Sequence, residues 1–494
     1  MKKIIILLLL VCILPLTACN TVISSNTSIN ENNGTYNLSF NEAEYDSSYS
    51  LNGSTYLSLA NEDVYIKKAG TYILEGELNG SVIVEVSKTD DVQLVLNNVT
   101  INSDDFAGIY IVEGDEITIT LNENSINTIN DNGTYTQIDS NGVDALIFSK
   151  ADLIINGTGT LNLKSDYNHG IVSKDDLTIT SGTYKIDVAG QGLRGKDCVK
   201  IADGTFDISS GKDAIKSDNS EDTSRGYIYI DGGTFNINSN ADGIYAYTLL
   251  QIEDGDFTIN TNTSNTADSY KGLKAESDIV INGGSFEIIT VDDGIHSNNN
   301  ILITNGNFTI NSSDDAIHGD GKVEIDNGTY IISAREGIEA TYVLINDGDI
   351  NINGIDDGIN AGQKVNDYTP TIEINGGNIT VVMAQGDTDA IDSNGYIYVN
   401  GGTIDISGQS AFDYDVGAEY NGGTIIVNGT QVNEITSQMM GGRGGFGNMG
   451  QNPPFNNNQG NENSPNGEFQ PGQFNGEKPQ RGPKPNNEDN TYFR

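Results

Sequence analysis

The stretch YIYIDGGTFNINS, residues 227–239, decides the fold. Alternation puts Ile228, Ile230, Phe235 and Ile237 on one face and the intervening Tyr, Thr and Asn on the other, which is the period of a β-strand. Asp231-Gly232-Gly233 breaks the run into two pieces. Strands this short are not stable alone and need partners of the same kind beside them.

Those partners recur along the chain. A small residue followed by an aliphatic one stands at Ile171, Leu193, Ile215, Ile244, Leu273, Ile295, Ile317, Ile338, Ile359 and Ile391, with gaps of 22, 22, 29, 29, 22, 22, 21, 21 and 32. A second ladder runs Tyr184, Phe206, Phe235, Phe257, Phe286, Phe308, Tyr330, Ile350, Ile379, Ile404 and Ile425. It lengthens where the first does, so the extra residues are loops inserted into a constant coil. A repeat of about 22 residues carrying three short strands predicts an all-β, right-handed parallel β-helix, with coils stacked at roughly 4.8 Å. The leucine-rich repeat pattern is missing, and the nonapeptide calcium repeat has the wrong period.

Composition agrees. Across 494 residues there are 58 glycines, no Trp, and 25 Lys and Arg against 69 Asp and Glu, a formal charge of -44. Such a chain repels nucleic acid and anionic membrane faces, and cations are its natural partners. Residues 1–18, with Lys2, Lys3, an apolar run and then Leu16-Thr17-Ala18-Cys19, read as a lipoprotein signal peptide that leaves Cys19 acylated. That address is extracellular, with the membrane touched only through the lipid, on the outer face of the bacterial cytoplasmic membrane. Cys198 is then the one remaining free thiol, so no intrachain disulfide forms. Residues 19–50, rich in Asn, Ser and Thr, are expected to be a flexible tether, 51–435 the β-helix, and 436–494 a disordered Gly, Asn and Pro tail. The GxGxxG spacing at Gly442, Gly444 and Gly447 has neither strand before it nor helix after it, so it is no nucleotide loop.

Two charged columns flank the first ladder. Two residues before each aliphatic stand His169, Gln191, Asp213, Asp242, Lys271, Asp293, Asp315, Glu336, Asp357 and Asp389, with Asp292, Asp314 and Asp356 just ahead of three of them. Stacked carboxylates raise one another's pKa or recruit a cation, and Ca²⁺ accepts six to eight oxygens with loose geometry. Asp292, Asp293, Asp314, Asp315, Glu336, Asp356, Asp357 and Asp389 are therefore the candidate metal ligands; turn capping is the competing role of any single Asp. One residue after each aliphatic the column reads Val172, Arg194, Lys216, Tyr245, Lys274, His296, His318, Glu339, Asn360 and Asp392. Arg194, Lys196, Lys216, Tyr245, Lys271, Lys274, His296 and His318 form a stripe suited to the carboxylates of an acidic glycan, unless these bases merely neutralise neighbouring acids. The two histidines lack a tight zinc-binding spacing and are read as surface partners. Tyr227, Tyr229, Tyr245, Tyr247 and Tyr270 are expected to point outward near the inserted loops and to offer a glycan edge for stacking.

The succession SKDDL (173–177), GLRGKD (192–197), DAIKSDN (213–219), KGLKA (271–275), DDGIH (292–296), DDAIHGD (314–320), EGIEA (336–340), DDGIN (356–360), DAIDSNG (389–395) and AFDYD (411–415) resembles a family of bacterial carbohydrate-binding β-helix proteins with a pectate-lyase-like fold. The resemblance spans roughly residues 55 to 430; Cys198, Leu193 and Leu273 depart from the usual Ser and Ile. It implies binding of cellulose and of acidic sugars such as polygalacturonate, with bound Ca²⁺. The expected function is thus calcium-dependent, non-catalytic binding of polysaccharide by a monomer at the cell surface. The alternatives are a calcium-dependent polysaccharide lyase with Arg194 as base, and a structural adhesin without a sugar ligand.

Overall fold

The computed structural model describes residues 36–261, 269–386 and 388–437. The expected signal peptide, Cys19 and nearly all of the expected tail lie outside the described residues. Among the described residues forty-three strands run from Thr55–Ser58 to Thr430–Val432, and every pairing among them is parallel except the last. Each strand pairs with its counterpart in the next coil: Thr183–Val188 with Thr205–Ser210, then with Thr234–Ser239. The chain is a parallel β-helix, as the repeat predicts.

Three strands per coil make three faces. On the first, Ile171, Leu193, Ile215, Ile244, Leu273, Ile295 and Ile317 stand in unbroken register, fully buried. On the second, the inner column runs Leu177, Val199, Ile228, Leu250, Ile279 and Ile301. On the third, the rings of Tyr184, Phe206, Phe235, Phe257, Phe286, Phe308 and Tyr330 stack with centroids 4.6 to 4.9 Å apart and nearly parallel planes. The two tyrosines terminate the stack, where their hydroxyls reach the carbonyls of Ser181 and Asn327. Each ring adds roughly 1.5 to 3 kcal/mol of burial to one continuous core. Gly284 illustrates the turn entering this face: its φ of +106° suits glycine, and a Cβ there would lie 3.1 Å from the ring of Phe286.

A parallel rod leaves an open edge at its end. Asn428 and Gly429, with φ of 50° and 76°, turn the chain back so that Thr430–Val432 pairs antiparallel with Thr424–Val427 and covers that edge.

Residues 36–50 depart from the expected tether. They lie against the second face as a strap: Tyr36, Leu38 and Phe40 pack on Cys198, Tyr227, Tyr229 and Leu249. Asn41 and Glu44 form a capping box around the short helix Glu42–Tyr45. The Glu44 carbonyl accepts from Asn156 and Thr180, and Glu44's carboxylate meets Lys200. Tyr227 and Tyr229, expected to face solvent, are consequently buried.

Candidate functional site

The first face carries both charged columns in the register the sequence predicts. Val172, Arg194, Lys216, Tyr245, Lys274, His296, His318, Glu339, Asn360, Asp392 and Asp413 are successive neighbours. They sit against a small-residue column of Gly and Ala, because the strands approach closely: a Cβ on Gly272 would lie 2.5 Å from the carbonyl oxygen of Gly294.

Most of the basic stripe is engaged by the acids beside it. Arg194 binds Asp218 through Nε and Nη2, the shortest contact at 2.8 Å. Lys216 meets Asp213 at 2.8 Å, Lys274 meets Glu276 at 3.1 Å, and Lys271 meets Asp292 at 2.9 Å and Asp293 at 3.3 Å. Tyr245 lies between the ammonium groups of Lys216 and Lys274, 4.4 and 5.0 Å from its ring centroid. Arg335 gathers Asp314, Asp315, Glu336 and Asp356. It stands immediately before Glu336 of the acidic column, yet nothing in its local pattern distinguishes it as the hub of four acids.

Lys196 is different. With Lys150 and Lys174 it forms a row two residues beyond the column of Arg194, each lysine just past its strand and three residues after Ile147, Ile171 or Leu193, which pair in order. The residues just before them pair in order, Ser149 with Ser173 and Ser173 with Gly195. None of the three has a carboxylate within 4 Å among the described residues; Lys150 donates to Asn141, and Lys174 lies over the ring of Phe148. Burial, together with Arg194 and Lys196 and against the pull of Asp144, holds the Lys174 ammonium below its ordinary pKa. Beside the row, His169 is buried and accepts from the backbone N–H of Gln191 at 2.8 Å. Burial and then Arg194, Lys212, Lys174 and Lys216 depress its pKa to about 3. Buried oxygens of Gln191 and Asp144 face this area without a hydrogen-bond partner.

At the other end the column carries no base and reads Glu339, Asn360, Asp392 and Asp413. Asp357 stands beside Asp389, and Asp392 between Asn360 and Asp413. Burial, then Asp392, Glu336 and Asp356, push the Asp357 carboxyl up to about 8; burial, then Asp389, Asp413 and Asp415, push Asp392 up to about 7. Neither Asp357 nor Asp392 has a basic partner within 4 Å among the described residues. Side chains able to hold a metal ion together are Asp292, Asp293 and Asp314; Asp293, His296 and His318; Asp315, His318 and Glu339; and Asp152, Asp175 and Asp176. Among the described residues no helix is long and apolar enough to cross a membrane.

A family model described as carbohydrate-binding domain-containing protein matches residues 60–316 and 314–444. A carbohydrate-binding domain-containing protein of Acetivibrio thermocellus is 33% identical over 133 residues, which are 26% of this chain and 46% of that relative; the chain thus spans about half the length of the curated relative it matches. A solved structure, the gadolinium derivative of a polysaccharide lyase-like protein from C. thermocellum, shares 26% identity over 54% of this chain and 89% of its own, with a TM-score of 0.37.

Proposed function

Because this chain belongs to the carbohydrate-binding domain-containing protein family, we propose that it is a non-catalytic binder of acidic polysaccharide, such as polygalacturonate, held against the first face. The row Lys150, Lys174 and Lys196 carries this reading. Three lysines on successive coils, with backbones roughly 4.8 Å apart, concentrate positive charge along the rod, and a polyanion with a carboxylate on each sugar compensates it along its length. Arg194 flanks the row, on the strand that ends just before Lys196.

We assign Ca²⁺ to the acidic end of the face on its charge. Asp357, Asp389, Asp392 and Asp413 offer only oxygen donors from three successive coils, with crowding that a divalent cation relieves. Bound there, Ca²⁺ supplies charge compensation and open positions for a uronate carboxylate. Retention on immobilised polygalacturonate, with Ca²⁺ present and after chelation, tests the reading. Retention independent of both Ca²⁺ and the three lysines removes it.

A polysaccharide lyase is the second reading, favoured by Lys174 rather than Arg194. A base must be free of a competing partner, and the Arg194 guanidinium is occupied by Asp218, whereas burial, with Arg194 and Lys196, lowers the pKa of the Lys174 ammonium. Unsaturated product absorbing in the ultraviolet during incubation with polygalacturonate, lost in Lys174→Gln, marks the enzyme. Its absence alongside clear binding leaves the binder. Attachment through an acylated Cys19 places the protein outside the cytoplasmic membrane; incorporation of a fatty-acid label that Cys19→Ala abolishes is the check.

A further inference from the structure

The outward column of the first face changes character at Arg194. Before it come Ile83, Tyr110, Phe148 and Val172, neighbours in successive coils, each 3% exposed or less although it points away from the core. From Arg194 onward, Lys216, Tyr245, Lys274, His296 and His318 are all partly open to solvent.

The cover over the first four is the connection from Ile126–Asp131 of the third face to Ala145–Ser149 of the first. It runs out across the first face and back. On the near side Tyr135 donates to Asp131, and on the far side Asn141 Oδ1 accepts from Lys150 at 2.8 Å. Between these points the loop is pinned from below. The Tyr110 hydroxyl donates to Asp139 and accepts from Asn141, both at 2.6 Å, and Phe106 meets the Tyr110 ring edge-on with centroids 5.4 Å apart. Gln137 exchanges two hydrogen bonds of 2.8 Å with the backbone of Val143. A buried tyrosine with its hydroxyl satisfied on both sides holds such a loop in one place. The middle of the loop stands clear of the face, with Ile138 56% exposed.

The first face is thus a track closed at one end by a wall, and the lysine row meets that wall. Lys150 is tied to Asn141 and Lys174 lies 5.3 Å over the ring of Phe148, whereas Arg194 and Lys196 belong to the first uncovered coil. A polyanion lying along the row reaches the loop after a few sugars. A chain that continues must climb over the loop and give up its contact with the lysines, while a chain that ends there keeps it. A difference of contacts of this kind is what sets specificity.

We propose that the first face recognises the terminus of an acidic polysaccharide chain, with residues 132–144 as the stop against which the last sugar rests. The inference rests on the glycan reading above and adds to it where along the polymer the protein sits.

Counting copies per chain tests it. Full-length protein in excess is mixed, with Ca²⁺ present, with size-fractionated polygalacturonate much longer than the first face, and the complexes are weighed by sedimentation or light scattering. The expected result is a single copy per chain, an affinity per chain that does not rise with chain length, and short oligogalacturonates that compete mole for mole. Deleting residues 133–142 together with Tyr110→Thr, Phe148→Thr and Val172→Thr, which make the uncovered column polar, should let several copies load onto each chain. Several wild-type copies on each chain overturn the proposal whether or not that variant folds, and so does a folded variant that still loads only one. Absence of binding to oligomer and polymer alike overturns the glycan reading and this inference with it, so the two failures are told apart.

Discussion

Glu44 and Lys200 meet at 2.9 Å with 9% and 4% of their side chains exposed, 156 residues apart in the chain. The lysine lies 5.1 Å from the centroid of Phe40 and also donates to the Ser39 carbonyl. It is the buried post to which the strap is tied. Removing one member of a buried pair strands the other charge, which costs about 3 to 5 kcal/mol. The strap packs on the outside of complete coils, so the loss is expected to be local: in Lys200→Ala, amides of residues 36–50 exchange faster and limited proteolysis cuts there first. The global unfolding midpoint should move far less. Loss of the whole β-helix at that substitution would mean that the strap is integral to the core.

The row Lys150, Lys174 and Lys196 gives a different expectation from the paired stripe. Changing all three to Gln should weaken polygalacturonate retention at least about tenfold and lower its salt dependence, because charges without a partner are the ones a ligand screens. Lys216 and Lys274 already have carboxylates, and changing them to Gln should have a smaller effect. Affinity measured across a salt series with both variant sets decides the assignment, and equal losses would return the site to the whole stripe.

The fold was legible in the sequence because its determinants are local and repeated. Alternation in residues 227–239, the ladder of Ile and the ladder of Phe specify strand, period and inward face, and stacking does the rest. Neighbours within the columns were legible for the same reason, since register follows the period. Charge compensation was not. Asp218 reaches Arg194 from a loop, and Arg335 collects acids from adjacent coils, so which charges remain unpaired depends on side-chain reach. The lysine row had a signal, a Lys three residues after Ile171 and Leu193 and, one coil before the ladder as read, after Ile147, of which only Lys196 was singled out. Residues 36–50 hid their role: Tyr36, Leu38 and Phe40 alternate over too short a span in polar surroundings to signal a buried strap.

Phe257 tests the stacked column. It lies 4.6 Å from Phe235 and 4.7 Å from Phe286, both nearly coplanar with it, and is 2% exposed. Phe257→Ala leaves a cavity that coils above and below cannot close without breaking register, and should cost about 3 to 5 kcal/mol. Denaturant unfolding measures it. Phe257→Leu should recover much of that loss, since it fills most of the space without the ring.

The acidic end predicts opposite signs with and without metal. Neutralising Asp357 and Asp392 together to Asn removes crowded like charges, so the double variant should be more stable than wild type in Ca²⁺-free buffer at pH 8. Wild type should gain stability on adding Ca²⁺, and the variant should gain little, so that the two melting temperatures converge or cross. A wild-type melting temperature indifferent to Ca²⁺ would remove this end of the face as its site.

His169 sets the acid side of the pH profile. Its folded pKa of about 3 lies below the unfolded value of about 6.5, so the unfolded chain binds the extra proton first as pH falls. The stability from keeping this imidazole neutral is fully present above pH 6.5 and is lost progressively toward pH 3. Asp357 and Asp392 act with the opposite sign, since their raised folded values make acidification from pH 8 favourable. A single melting curve mixes the two. His169→Gln retains an acceptor for the Gln191 N–H but does not titrate, so the difference between wild type and variant isolates the histidine. Wild type should be the more stable near pH 7, and its advantage should shrink steadily below pH 6. An advantage constant from pH 7 to pH 4 would mean that His169 is protonated in the folded protein, in spite of its burial among Arg194, Lys212 and Lys174.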